Sequence, residues 1–68
     1  MDIKVNGETQ SVSEGINLTQ LLTDNQVDNP DMVSVQVNGE FVAKEDYANT
    51  TVKEGIEVDF LYFMGGGQ

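Results

Sequence analysis

The chain has 68 residues, 38 % of them hydrophobic, and sets twelve acidic side chains against three basic ones for a formal charge of -9. That length admits one small domain with enough apolar material to fold, and the charge repels phosphate backbones and anionic lipid, which excludes nucleic acid and membrane as partners and leaves basic protein surfaces, or solubility alone, as its use. Cysteine and histidine are both absent, so there is no disulfide, no thiol or imidazole metal site and no usual general base; sulfur chemistry would need sulfur from outside, and no catalytic or metal-binding residue is expected.

The first segment, MDIKVNG, opens on alternation: Ile3 and Val5 against Asp2 and Lys4. It has no apolar run long enough for a signal peptide or a membrane span, and a cytoplasmic location is the expectation. Asn6-Gly7 is the dipeptide that two-residue hairpin turns prefer, and it predicts a return strand over roughly Glu8 to Val12. Ser13-Glu14-Gly15 breaks that strand.

A short amphipathic helix follows. Asn17 is placed to cap it, with Gln20 three residues on as the reciprocal partner of a capping box, and Ile16 and Leu21 are spaced for a hydrophobic staple. Leu18, Leu21 and Leu22 then share one face, and the helix should end near Asn25, with Asp28-Asn29-Pro30-Asp31 as a loop. Val33, Val35 and Val37 alternate with Ser34 and Gln36 as the clearest buried strand, closed by a second Asn-Gly turn at Asn38-Gly39, with a short return from Phe41 and Val42. Lys44-Glu45-Asp46-Tyr47 reads as a helical turn on the surface, and Thr50 to Gly55 lead to the last strand.

In that strand Ile56, Val58, Phe60 and Tyr62 fall on one side, expected to face the core, and Glu57, Asp59, Leu61 and Phe63 on the other. The second side turns from acidic to apolar towards the glycines. Leu61 and Phe63 are therefore either a docking surface or packed beneath the loop after the helix. The order of elements gives an α+β domain, one helix packed across a mixed sheet of four or five strands over residues 1–64.

Residues 65–68 read as a flexible glycine tail in the stretch FMGGGQ, since glycine loses the most backbone freedom on ordering and offers nothing to pack. A phosphate-cradling loop would need a helix after the glycines, and the release-factor GGQ tripeptide needs a large RNA-bound domain around it. A tail that must thread a narrow site in another enzyme, to be activated at a terminal carboxylate, would favour residues without side chains. A frayed end is the plain alternative.

Architecture and tail together resemble the ThiS family, the small sulfur carriers of thiamin biosynthesis with a ubiquitin-like β-grasp fold. The resemblance covers essentially the whole chain: MDIKVNGE at the start, NLTQLL in the helix, VSVQVNGEFVAKEDYANTTVKEGIEVDF in the middle and FMGGG near the end. It departs where Gly55 is followed by Ile56 rather than aspartate, and where Lys44 and Tyr47 stand for an arginine and a tryptophan. The resemblance implies a carrier that is a co-substrate and not an enzyme, with no bound cofactor. Gly66 and Gly67 match the terminal pair, with Gly65 before them, and Gly67 would be adenylated with ATP and then thiocarboxylated. Implied partners are an adenylyltransferase of the ThiF or MoeB kind, a cysteine desulfurase and a sulfur-accepting synthase such as thiazole synthase.

Gln68 is the serious departure. While it is attached, the Gly67 carbonyl is an amide with no carboxylate to activate, so the expectation is prior removal of Gln68, as by a metalloprotease of the JAMM type. Capped carriers of that kind serve cysteine, homocysteine or other sulfur products, and this pathway stays open beside thiamin. The small subunit of molybdopterin synthase and a ubiquitin-like modifier are further alternatives. The docking surface expected on any of these readings is Leu61, Phe63 and Met64 with Glu57 and Asp59, facing a basic rim on the partner.

Overall fold

A computed structural model of the chain describes residues 1–27 and 29–62. Five strands and one α-helix form it: β1 (Asp2–Val5), β2 (Glu8–Ser11), α1 (Leu18–Asp24), β3 (Val33–Val37), β4 (Glu40–Val42) and β5 (Glu57–Tyr62), with 3-10 turns at Pro30–Met32 and Lys44–Asn49. The expected choice between four and five strands falls to five.

Both Asn-Gly dipeptides make their hairpins. Asn6 and Asn38 sit at φ of 53° and 52°, each followed by a glycine at positive φ, a region asparagine tolerates and glycine occupies without strain. The hairpins pair β1 with β2 and β3 with β4. β5 then enters between them, parallel to β1 and antiparallel to β3, and the sheet order is β2-β1-β5-β3-β4. This is a mixed sheet crossed by one helix, the β-grasp arrangement.

α1 is only seven residues long, too short to stand alone in water, so its ends and its buried face decide its existence. The capping box forms as the sequence predicts: the Asn17 side chain accepts from the Gln20 N–H and the Gln20 side chain accepts from the Asn17 N–H. The Asn17 amide also donates to the Ala48 carbonyl, which ties the helix start to the second 3-10 turn. Ile16 packs on the core beside it. Leu18, Leu21 and Leu22 are buried against Ile3 and Val5 of β1, Val33 and Val35 of β3, and Val58 and Phe60 of β5.

Two sequence expectations are corrected. Tyr47 was expected on a surface turn, yet it is buried in the core cluster that includes Val27 and Val52, while its neighbours Lys44, Glu45 and Asp46 are exposed. Burial pushes its hydroxyl pKa above 10.0, and a backbone hydrogen bond at Val35 partly opposes the shift. Tyr62 was expected to face the core and is 53 % exposed. Its parity in the strand is right, but the core ends at Phe60. The Lys44 ammonium pairs with Asp31 between the two 3-10 turns, and both side chains are exposed. Among the described residues no helix is long and apolar enough to cross a membrane.

Candidate functional site

β5 is the strand that leads into the glycine segment, so its surroundings define the candidate site. Its backbone groups alternate between its two neighbours. On the β1 side, the Lys4 N–H donates to the Ile56 carbonyl at 2.9 Å and the Asn6 N–H to the Val58 carbonyl at 2.9 Å. On the β3 side, the Asn38 N–H donates to the Glu57 carbonyl at 2.7 Å. Even-numbered residues of β5 thus address β1, and odd-numbered ones address β3.

Each hairpin turn also lends a side chain to β5. Asn38 Oδ1 accepts the Glu57 N–H at 3.0 Å, and Asn6 Oδ1 accepts the Phe60 N–H at 2.8 Å in a partly buried position. Neither neighbouring strand reaches those points, since β3 stops at Val37 and β1 at Val5. The asparagine side chains complete the ladders where backbone runs out. Sequence reasoning found both residues as turn formers and missed this second role, which depends on where β5 inserts.

The face of the sheet away from α1 carries Glu57, Asp59 and Leu61 from β5. Their cross-strand neighbours are Lys4 opposite Glu57, Gln36 opposite Asp59 and Ser34 opposite Leu61, with Phe41 opposite Gln36 on the outer strand. Of the five expected docking residues, Glu57 is exposed, Asp59 half-buried and Leu61 44 % exposed. That exposure answers the question left open for Leu61, which is not packed beneath a loop. Phe63 and Met64 lie outside the described residues, as do Gly65, Gly66, Gly67 and Gln68.

Three further apolar side chains are exposed that the sequence reading did not count in the surface: Met32 at 42 %, Phe41 at 68 % and Tyr62. Phe41 was legible in principle, because a two-residue turn at Asn38-Gly39 fixes the register and places Phe41 on the polar side opposite Gln36. The acidic residues Asp2, Glu54 and Glu57 border a hollow at the other end of β5, together with Lys4, and the Glu54 carboxylate accepts the Asp2 N–H. Among the described residues, no group of three or more histidine, cysteine, aspartate or glutamate side chains is arranged to hold a metal ion. What the arrangement offers chemically is a rigid strand, a face that runs from acidic to apolar, and a backbone heading towards glycines.

Comparison with known proteins agrees with that picture. The model of the ThiS family matches residues 3–67. A crystal structure of a thiamine biosynthesis protein (ThiS) from Geobacter metallireducens superposes with a TM-score of 0.86 and is 45 % identical, over 98 % of this chain and 100 % of that one. A solution NMR structure of a thiamine biosynthesis protein from the same organism gives a TM-score of 0.83 and 44 % identity, over 100 % of this chain and 90 % of that one. Among curated proteins, a thiazole synthase of Paramagnetospirillum magneticum is 34 % identical over 67 residues, which are 98 % of this chain and 20 % of that protein. The chain thus spans about a fifth of the length of that relative.

Proposed function

The chain belongs to the ThiS family, and from that premise we propose that it is a sulfur carrier of thiamine biosynthesis, a protein co-substrate in the cytoplasm whose reactive atom is borne by Gly67. The observation that carries the reading is the family match itself, which extends through Gly67 and stops one residue short of Gln68.

The chemistry asks little of the domain's own side chains. Hydrolysis of the Gly67–Gln68 amide consumes one water and leaves a carboxylate on Gly67. That carboxylate attacks the α-phosphorus of ATP, which a ThiF- or MoeB-like adenylyltransferase supplies; pyrophosphate leaves and an acyl-adenylate remains. A persulfide sulfur from a cysteine desulfurase displaces AMP to give an acyl disulfide, and a thiol reductant cleaves its S–S bond with two electrons, leaving a thiocarboxylate on Gly67 and a free thiol on the desulfurase cysteine. A sulfur-accepting synthase then takes the sulfur. The likeness to a thiazole synthase that carries a segment of this kind supports a thiazole-forming acceptor over the cysteine and homocysteine alternatives.

The domain's part is presentation. Carboxylates at Glu57 and Asp59 draw a basic rim, and Leu61 with Phe63 and Met64 gives the apolar contact next to the reactive end. The test is reconstitution with an adenylyltransferase, ATP, a desulfurase, cysteine as the sulfur source and a thiol reductant, comparing a chain terminated at Gly67 with one retaining Gln68. Intact mass should show one oxygen exchanged for sulfur on the first and no change on the second, unless a JAMM-type protease is added. Equal thiolation of both chains, or of neither, would reject the proposal.

A further inference from the structure

Among the described residues, one stretch of β5 has a strand on one side only. β1 ends at Val5, and its register with β5 covers only Glu57 and Val58. Asn6 extends the cover to the Phe60 N–H through its side chain. Beyond that point the alternation of β5 directs the Phe60 carbonyl and the Tyr62 N–H and carbonyl towards the space that β1 has vacated. None of these three groups has a hydrogen-bond partner among the described residues. On its other side the strand remains paired to its end, with Ser34 opposite Leu61 and Val33 opposite Tyr62.

An unpaired strand edge is a template for another strand, because backbone groups that pair with an incoming chain gain hydrogen bonds at little cost in ordering. We propose that the edge of β5 from Phe60 to Tyr62 accepts an extended segment of the sulfur-accepting synthase, which takes up the line of β1 in the sheet and aligns the chain leading to Gly67. The inference rests on the carrier reading above. The synthase is favoured as occupant because a thiazole synthase relative holds a segment of this kind within its own chain. A second copy of this domain is disfavoured by the charge of -9 on each molecule. Exposed Leu61 and Tyr62 lie on opposite faces of the same edge, so an added strand meets apolar side chains above and below, and the Asn6-Gly7 turn sets where it must begin.

The decisive experiment is residue-resolved amide hydrogen exchange on the carrier, free and saturated with its thiazole synthase. In the free protein the Tyr62 N–H should exchange close to the unprotected rate while the Leu61 N–H, which addresses β3, is slow. In the complex Tyr62 should slow at least about tenfold with Leu61 unchanged. An ester in place of the Tyr62 amide removes that N–H and also makes the Leu61 carbonyl a weaker acceptor towards Ser34; it should weaken synthase binding about three- to tenfold, with the melting temperature of the free carrier reporting separately the part that falls on the β3 ladder. A carrier that is thiolated at Gly67 yet shows an unprotected Tyr62 in the saturated complex, or full affinity as the ester, overturns the edge pairing and leaves the carrier reading intact. Protection of Tyr62 in the free protein also overturns it. A chain that accepts no sulfur and binds no synthase overturns both.

Discussion

The two asparagines that lend their side chains to β5 form a matched pair for a stability experiment. Both occupy positive φ, both precede glycine, and both accept a β5 amide through Oδ1, at 2.8 Å for Asn6 and 3.0 Å for Asn38. They differ in burial: the Asn6 bond is partly buried and the Asn38 bond is exposed. Replacing either by glycine keeps the turn unstrained and adds the same unfolded-state freedom, a loss of about 0.4–1 kcal/mol common to both variants. What differs is the orphaned donor. Water can reach the Glu57 N–H in Asn38→Gly, whereas the Phe60 N–H in Asn6→Gly is left short of a partner at about 1–3 kcal/mol. Asn6→Gly should therefore be less stable than Asn38→Gly by about 1 kcal/mol or more, which for a domain of this size separates their melting temperatures by about 4–8 °C. Thermal unfolding followed by circular dichroism, at one pH and salt concentration, reads the difference directly. Asn6→Asp, which keeps the acceptor, should melt within a few degrees of the parent. Equal melting temperatures for the two glycine variants would refute the claim that Asn6 substitutes for missing strand.

Other perturbations follow from the same structure. Asn17→Ala removes the acceptor of the capping box and the link to Ala48 and should cost about 1 kcal/mol in chemical unfolding; an unchanged midpoint would mean that packing alone holds the helix. Leu21, fully buried, should cost about 2–5 kcal/mol as Leu21→Ala, a large share of what a small domain possesses, visible as loss of cooperative melting. The Tyr47 hydroxyl titrates higher in the folded protein than the ordinary 10.0, so its contribution to stability is complete below that pH and is lost as pH rises through the folded value. The parent should accordingly lose urea resistance above pH 10.0 more steeply than Tyr47→Phe, and parallel curves would exclude the burial effect. Finally, a charge of -9 on a domain this small makes self-repulsion a real destabilising term, and raising salt to about 0.5 M should raise the melting temperature; a flat response would refute that.

Much of the fold was legible because its signals are local. Asn6-Gly7 and Asn38-Gly39 fix two hairpins through the φ they require, Asn17 and Gln20 fix the helix start, and the alternation of Val33 and Val35 marks a strand with a buried side. Tyr47 was hidden by its company: three charged residues precede it, and the burial of a single aromatic in a 3-10 turn depends on that turn lying against the helix start, a long-range contact. Tyr62 failed for another reason. Alternation assigns a side chain to a face but says nothing of how far the core extends beneath that face, and here it stops at Phe60. Of the candidate site, Glu57, Asp59 and Leu61 could be placed on one face by parity, while the exposure of Leu61 and the side-chain bonds of Asn6 and Asn38 required the position of β5 in the sheet. That position, between two hairpins formed earlier in the chain, has no local signature.

The central place of β5 also has a mechanical meaning. A force applied along β5 from beyond Tyr62 meets the β3 ladder first and the β1 ladder from Val58 inwards, and it acts across the direction of the hydrogen bonds. Such a load shears both ladders instead of peeling an edge bond by bond, and the two asparagine side chains add further points of attachment. A pull along β5 is therefore shared between the β1 and β3 ladders and not borne by a single edge.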